Sequence, residues 1–404
     1  MAGLYIHIPF CESRCIYCGF FSTTSLIMRD EYIDALCHEM ELRPISTALG
    51  GEEDIKTIYL GGGTPSQLSG EQLSRLFLHI ERYLNDGQRA KGELFKGLKG
   101  NPELEITMEC NPDDVTKDFC ESLGTLPINR ISMGAQTFSN ERLRFLHRRH
   151  DAKEVRQAVE RIRAIGIHNI SLDLMFGFPH ETLADWQRDI DEALALGVEH
   201  ISAYSLMYEE GTALHRLLEQ GKIEEIDEEL SRQMYEMLID KLTSAGYEHY
   251  EISNFARPGF RSRHNSSYWH EVPYIGIGAA AHSYYRDTKS PAANDFLVKR
   301  SWNIDNIHAY IDSIRQDRLP SEYEILDKDT RYNDLITTAL RTSDGIDLMK
   351  TKEEFGESAY HRLLAEADRH IQQGLMKIEH RHLSLTRTGL YISDDIMSDF
   401  MIVS

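Results

Sequence analysis

Over the first two thirds of the chain, hydrophobic positions gather into short apolar or β-branched runs separated by stretches of longer period. Leu4–Ile8, Ile55–Leu60, Leu104–Met108, Arg130–Met133, Asn169–Met175 and His200–Leu206 have the length and composition of strands. Between them the pattern turns helical: Val155, Ala158, Val159, Ile162 and Ile165 fall on one helix face. Six strands separated by helices imply right-handed crossovers and a parallel sheet. The expected fold class is α/β, a partial (β/α)6 TIM-type barrel whose working face lies at the C-terminal strand ends. A flat, doubly wound sheet is the competing arrangement.

Farther along, a linker at Leu319-Pro320 precedes helical stretches around Thr330–Arg341 and Ala359–Gln373. Two short runs, Leu375–Ile378 and Leu383–Thr386, then flank a polar turn. Helices ending in a two-stranded ribbon predict a small, mainly helical, winged-helix-like domain. The expected division is a barrel over 1–250, a connecting segment over 251–315 and the C-terminal domain over 316–404. Asp86–Pro102, with Gly87, Gly92, Gly97 and Gly100 among Arg89, Lys91, Lys96 and Lys99, is expected to be a surface insertion. Glu224–Glu229, five acids in six positions, is expected to form the solvated first turn of a helix reaching toward Ala245.

Composition narrows the function. Of 404 residues, 44 are Lys or Arg and 65 are Asp or Glu, a net charge of −21. A polyanion repels phosphates, so no nucleic-acid partner is expected. No apolar stretch reaches the length of a bilayer-crossing helix. The amino-terminal MAGLYIHIPF lacks the basic flank of a secretory signal, so a cytoplasmic location is expected. Six cysteines are too few for a disulfide scaffold. Cys37, Cys110 and Cys120 are scattered, but Cys11, Cys15 and Cys18 lie within eight positions, an asymmetry that points to metal.

The spacing Cys11-x3-Cys15-x2-Cys18 puts three thiols on a tight loop leaving the first strand. Structural zinc sites want four ligands, usually in two paired knuckles, and there is no second pair. An iron–sulfur cube held by three protein thiolates leaves one iron for an exogenous ligand. The bland alternative is three buried cysteines. Gly61-Gly62-Gly63-Thr64-Pro65 follows the second strand, where glycines permit positive φ and close approach to a ligand.

The run LYIHIPFCESRCIYCGF resembles the cluster loop of radical S-adenosylmethionine enzymes. More narrowly it resembles the oxygen-independent coproporphyrinogen III oxidase-like family. The resemblance implies a 4Fe-4S cluster on Cys11, Cys15 and Cys18, with S-adenosylmethionine chelating the fourth iron. It also implies cofactor-binding roles for Tyr5 beside the cluster and for Gly62, Gly63 and Thr64 against the methionine amino group. Glu109 in MECNP and Gln136 in GAQTF would meet polar ends of the cofactor. Arg148 in LHRRH would pair with its carboxylate, and Asp173 in SLDLMFGFP would accept from ribose hydroxyls.

The family's dehydrogenases carry a fourth cysteine in CxxxCxxCxC, and here that position is Phe20. CxxxCxxCxF resembles the sister branch of heme chaperones, as does the HNxxYW match His264-Asn265-Ser266-Ser267-Tyr268-Trp269. That resemblance implies heme as a ligand, with His264 a candidate axial ligand, and an acceptor hemoprotein such as a respiratory cytochrome as partner. His282 is a second histidine that could face the cavity or pack at a strand end. No catalytic residue is assigned. The alternative is an enzyme, an oxygen-independent coproporphyrinogen III dehydrogenase or another radical tetrapyrrole-modifying protein, which Phe20 disfavours. No transmembrane segment is expected, and peripheral contact with a membrane through the acceptor stays open.

Overall fold

The computed structural model describes residues 2–45, 49, 54–85, 95, 97–287 and 297–402. Strands β1 (Ala2–Ile8), β2 (Ile55–Gly62), β3 (Glu105–Cys110), β4 (Arg130–Gln136), β5 (Asn169–Phe176) and β6 (His200–Ser205) pair in chain order, every neighbour parallel. Helices Arg29–Leu42, Gly70–Leu84, Lys117–Leu123, Ala152–Ala164 and Leu183–Leu196 fill the crossovers. Three of these start where the chain supplies a reciprocal cap: Ser69 with Gln72, Asp151 with Glu154 and Thr182 with Asp185.

The two faces of this sheet differ in character. Leu4, Ile6, Ile8, Ile58, Leu60, Ile106, Met108, Ile131, Met133, Ile170, Leu172 and Ile201 are fully buried against the helices. The alternate positions are polar: Tyr5 and His7, Thr57 and Tyr59, Glu105 and Glu109, Arg130 and Ser132, Ser171 and Asp173, His200 and Ser202. Because side chains alternate along a strand, the second set shares the opposite face. Side chains from all six strands line one cavity of about 820 Å³, so the sheet curls around it as a partial barrel and is not flat. β1 and β6 do not pair with each other. The next strands in the chain are β7 (Glu248–Glu251), β8 (Asn254–Ala256) and β9 (Tyr274–Ile277). β8 pairs antiparallel with β6, and β9 runs parallel to β1. Beyond β9, β10 (His282–Asp287), β11 (Leu297–Asn303) and β12 (Ser321–Leu326) extend the sheet to twelve strands among the described residues. The last of these lies past the boundary expected at 315/316 and still pairs with β11.

The C-terminal part has its own core around Tyr332, Ile336, Leu363, Leu383 and Phe400. It consists of helices and a small ribbon with three strands, not the expected two: the pair Ile346–Asp347 joins Met376–Glu379 and His382–Leu385. It meets the barrel at the β7–β8 hairpin, where Ile252 donates to the Arg341 carbonyl at 3.0 Å and Ser343 to that of Tyr250 at 3.0 Å. The acidic run does not open a helix as a whole. Asp227 caps the helix Glu228–Ser244 by accepting from the Leu230 amide, which leaves Glu224 and Glu225 ahead of it. Most of the expected insertion, 86–94 and Lys96, lies outside the described residues; Lys99 donates to the Gly124 carbonyl at 3.2 Å. Among the described residues no helix is long and apolar enough to cross a membrane.

Candidate functional site

The cysteine loop begins where β1 ends. A bridge between Phe10 and Thr23 closes its base, with Cys11 donating to the Thr23 carbonyl at 2.9 Å and Thr23 to that of Pro9 at 2.7 Å. Its far side is pinned through Ile16, whose amide donates to the Leu146 carbonyl and whose carbonyl accepts from Leu214. Those residues belong to a small apolar cluster with Met175, Phe178 and Leu206, which anchors the loop apart from the main core. Cys11, Cys15 and Cys18 are half-buried around a cavity of about 180 Å³. Burial pushes the Cys11 and Cys18 thiols up. The Arg148 guanidinium donates to Cys15 Sγ at 3.6 Å, and Thr64 Oγ1 lies 3.4 Å from Cys11 Sγ.

This donor set is sulfur-rich. Among the described residues no three His, Cys, Asp or Glu side chains converge as a single-ion site requires. Thiols spread around one wall match a cluster, in which each thiolate takes a different iron. A cradle lies beside them: a Cβ on Gly134 would fall 2.8 Å from Gln136 Nε2 and 2.9 Å from an Arg148 guanidinium nitrogen. The residues therefore fit a cluster with an adjacent polar ligand.

The glycine run has a second use that its sequence does not show. Gly63 donates to the Ile8 carbonyl and Thr64 to that of Phe10, both at 2.8 Å. A Cβ on Gly63 would sit 2.8 Å from the Pro9 carbonyl carbon, and one on Gly62 (φ 108°) 2.4 Å from the His7 ring. These glycines seat the end of β2 against the base of the cysteine loop. Glu109 accepts from the Tyr59 hydroxyl at 2.7 Å and the Gly62 amide at 3.2 Å, and burial raises its pKa to about 7. Asp173 faces the Ser202 and Ser132 hydroxyls, and burial lifts it to about 6. Arg148 is held by Asn111 Oδ1 at 2.8 Å and by the Gly134 carbonyl. Gln136 sits at φ 64°, at the irregular end of β4. Thus Gly62, Gly63, Thr64, Glu109, Gln136, Arg148 and Asp173 share one wall with the cysteines.

Tyr5 and His264 lie elsewhere. Both line the larger cavity near its floor, their rings 6.4 Å apart, with Tyr59 stacked on His264 at 5.0 Å. The Tyr5 hydroxyl bonds His7 Nδ1 at 3.0 Å. The short helix Arg263–Trp269 plugs the N-terminal end of the barrel, its first amides donating to the Glu105 carboxylate at 3.1 and 3.0 Å. His264 is 1% exposed. Its Nδ1 bonds Thr57 Oγ1 and its Nε2 the Tyr268 hydroxyl, both at 2.8 Å. Burial lowers its pKa to about 3, so the ring is neutral. His282 is exposed and packs near Trp302 at 6.2 Å, away from this cavity.

A family model described as the radical SAM superfamily matches residues 5–193, and one described as the HemN C-terminal domain matches 326–392. The heme chaperone HemW of Bacillus subtilis is 35% identical over 408 residues, covering 99% of each chain. That of Escherichia coli is 36% identical over 284 residues, 69% of each. The chain belongs to the HemW family. The solved structure of coproporphyrinogen III oxidase (HemN) from Escherichia coli, a radical SAM enzyme, covers 99% of this chain and is 89% covered itself. Its TM-score is 0.77 at 22% identity, a likeness of fold. Membership of the family implies a 4Fe-4S cluster and S-adenosylmethionine.

Three residues of the site were not picked out by the sequence reading: Thr57 and Tyr59 on β2, and Arg130 at the start of β4. Each is a polar residue at an inner-face position of a strand whose other face is apolar. That alternation was available as a signal.

Proposed function

We propose that this chain is a heme chaperone: it takes heme into the 820 Å³ cavity and passes it to an acceptor hemoprotein such as a respiratory cytochrome. In this reading Cys11, Cys15 and Cys18 hold a 4Fe-4S cluster, and Gly62, Gly63, Thr64, Glu109, Gln136, Arg148 and Asp173 hold S-adenosylmethionine. Bound there, the cluster would supply an electron and the chelated S-adenosylmethionine a sulfonium that the electron can cleave. The observation that carries the reading is that the cysteine-lined wall and a ligand-sized cavity are continuous, sharing Tyr17, Cys18, Phe20, Glu109, Gln136 and Asp173.

The chain's own residues suit a large, flat, amphipathic guest. Phe20 is 69% exposed and Met207 61% exposed, both at the mouth of the cavity, with Tyr204 between mouth and floor. Exposed apolar side chains gathered on one opening mark a binding surface. Phe20 stands where the related dehydrogenases have a cysteine, so no fourth thiol is offered there. His264 reaches a heme iron only if a ring nitrogen gives up its partner, Nε2 the Tyr268 hydroxyl or Nδ1 that of Thr57. A cytoplasmic location and membrane contact through the acceptor belong to the same proposal.

The test is a paired one on anaerobically reconstituted protein. Hemin titration is expected to give a saturable Soret band near one equivalent, weakened by His264→Ala. Incubation with coproporphyrinogen III and a reductant is expected to yield no protoporphyrinogen. Turnover with matching release of methionine overturns the chaperone reading in favour of the dehydrogenase. A Soret titration unchanged by His264→Ala removes that residue as ligand.

A further inference from the structure

The large cavity has a charged floor that the family resemblance does not explain. Arg130, the first residue of β4, lines the cavity and is 1% exposed. Among the described residues its Nε and Nη1 have no hydrogen-bond partner. The other guanidinium on this cavity, Arg341, is paired with Glu251 at 2.8 Å, and Arg148 on the adjoining wall already donates to Cys15 Sγ, Asn111 Oδ1 and the Gly134 carbonyl. Buried polar groups are nearly always satisfied, and a buried cation with spare donors is costly unless something completes it. A guanidinium presents its donors as a planar fork that matches a carboxylate. The acids that face it, Glu109 and Asp173, are pushed up to about 7 and about 6 by burial, so near neutral pH Glu109 is partly protonated while Asp173 stays mostly ionised, and neither takes the spare donors of the fork.

The cavity is polarised along its depth, with Arg130 and His264 at the floor and Phe20 and Met207 at the mouth. We propose that Arg130 is the seat of a ligand carboxylate: a tetrapyrrole enters edge-on, its carboxylate side arms toward Arg130 and its apolar edge left at Phe20 and Met207. This rests on the heme reading above and adds the orientation of the guest.

Three measurements on the reconstituted full-length protein separate the outcomes. Hemin, hemin dimethyl ester and S-adenosylmethionine are each titrated into wild type, Arg130→Gln and Arg130→Lys, with circular dichroism as a check on folding. A charge-assisted contact of this kind is worth about tenfold to a hundredfold in affinity. Arg130→Gln is expected to weaken hemin by that factor, and Arg130→Lys by less. The ester, which has no free carboxylate, is expected to bind wild type and Arg130→Gln equally weakly. Equal losses for hemin and its ester make Arg130 a structural residue and overturn the proposal. Loss of S-adenosylmethionine binding with hemin unchanged also overturns it, since the carboxylate is then the cofactor's. Wild type that binds neither porphyrin sinks the heme reading itself, whereas wild type that binds both alike sinks only the role of Arg130.

Discussion

At the mouth of the barrel the chain leaves three half-buried thiols on a loop held by backbone hydrogen bonds. At the floor, by contrast, both ring nitrogens of His264 and both oxygens of Glu105 already have partners within the protein. The contrast separates two meanings of a motif. A group with spare bonding capacity facing a cavity is poised for a guest, and a group whose capacity is spent is part of the scaffold until a guest displaces its partner. By that criterion the CxxxCxxC loop is a site in waiting, the HNxxYW segment is first a plug, and Arg130 is the exception at the floor.

The sharpest way to break the contrast is at the mouth. Cys11→Ala, Cys15→Ala and Cys18→Ala are each expected to abolish nearly all iron and sulfide uptake on anaerobic reconstitution. Because the thiols are half-exposed, the stability of the apoprotein should shift by less than about 1 kcal/mol. Full four-iron content in any of the three variants would remove that cysteine as a ligand.

Next in size is a pH effect between mouth and floor. Glu109 has a folded pKa of about 7 against an ordinary 4.5, so between those values the folded state keeps a proton that the unfolded chain has lost. Its contribution to stability is therefore full below about pH 4.5 and falls as pH rises toward 7. Wild type is expected to lose on the order of 3 kcal/mol relative to Glu109→Gln across that window. Urea unfolding of both proteins at the two ends of the range measures the difference. Parallel pH profiles would show that the carboxyl is not desolvated as the geometry requires.

Much of this is legible in the sequence alone. Apolar runs placed all six barrel strands, because one face of each must pack against helices. The cysteine spacing located the mouth, because a chemical motif on a loop is local in sequence. What stayed hidden depends on distant partners. Nothing near His264 reveals that Thr57, 207 residues away in sequence, takes its Nδ1. The glycine run read as room for a ligand, yet a Cβ on Gly62 would meet the His7 ring and one on Gly63 the Pro9 carbonyl carbon. Arg130 was counted only as the first residue of a strand. Its meaning emerges once the alternation of β1 to β6 is read as a polar interior, where a buried arginine whose Nε and Nη1 no neighbour takes up is out of place.

The smallest expected effect is also the one that decides how plug and site are related. Tyr268→Phe keeps the ring and its edge-on packing against His264 at 5.2 Å, and removes only the hydroxyl that occupies Nε2. Losing one buried hydrogen bond should cost about 1 kcal/mol of stability, read from the urea midpoint. If His264 ligates heme, the same change removes the hydroxyl that engages Nε2, and hemin should bind several-fold tighter to the variant than to wild type. If His264 serves only to seal the barrel, hemin affinity stays put while stability falls. The neutral ring makes this a clean comparison, since burial holds its pKa at about 3 and no protonation intervenes near neutral pH. Stability and affinity moving in opposite directions is the signature of a scaffold contact that a guest must displace.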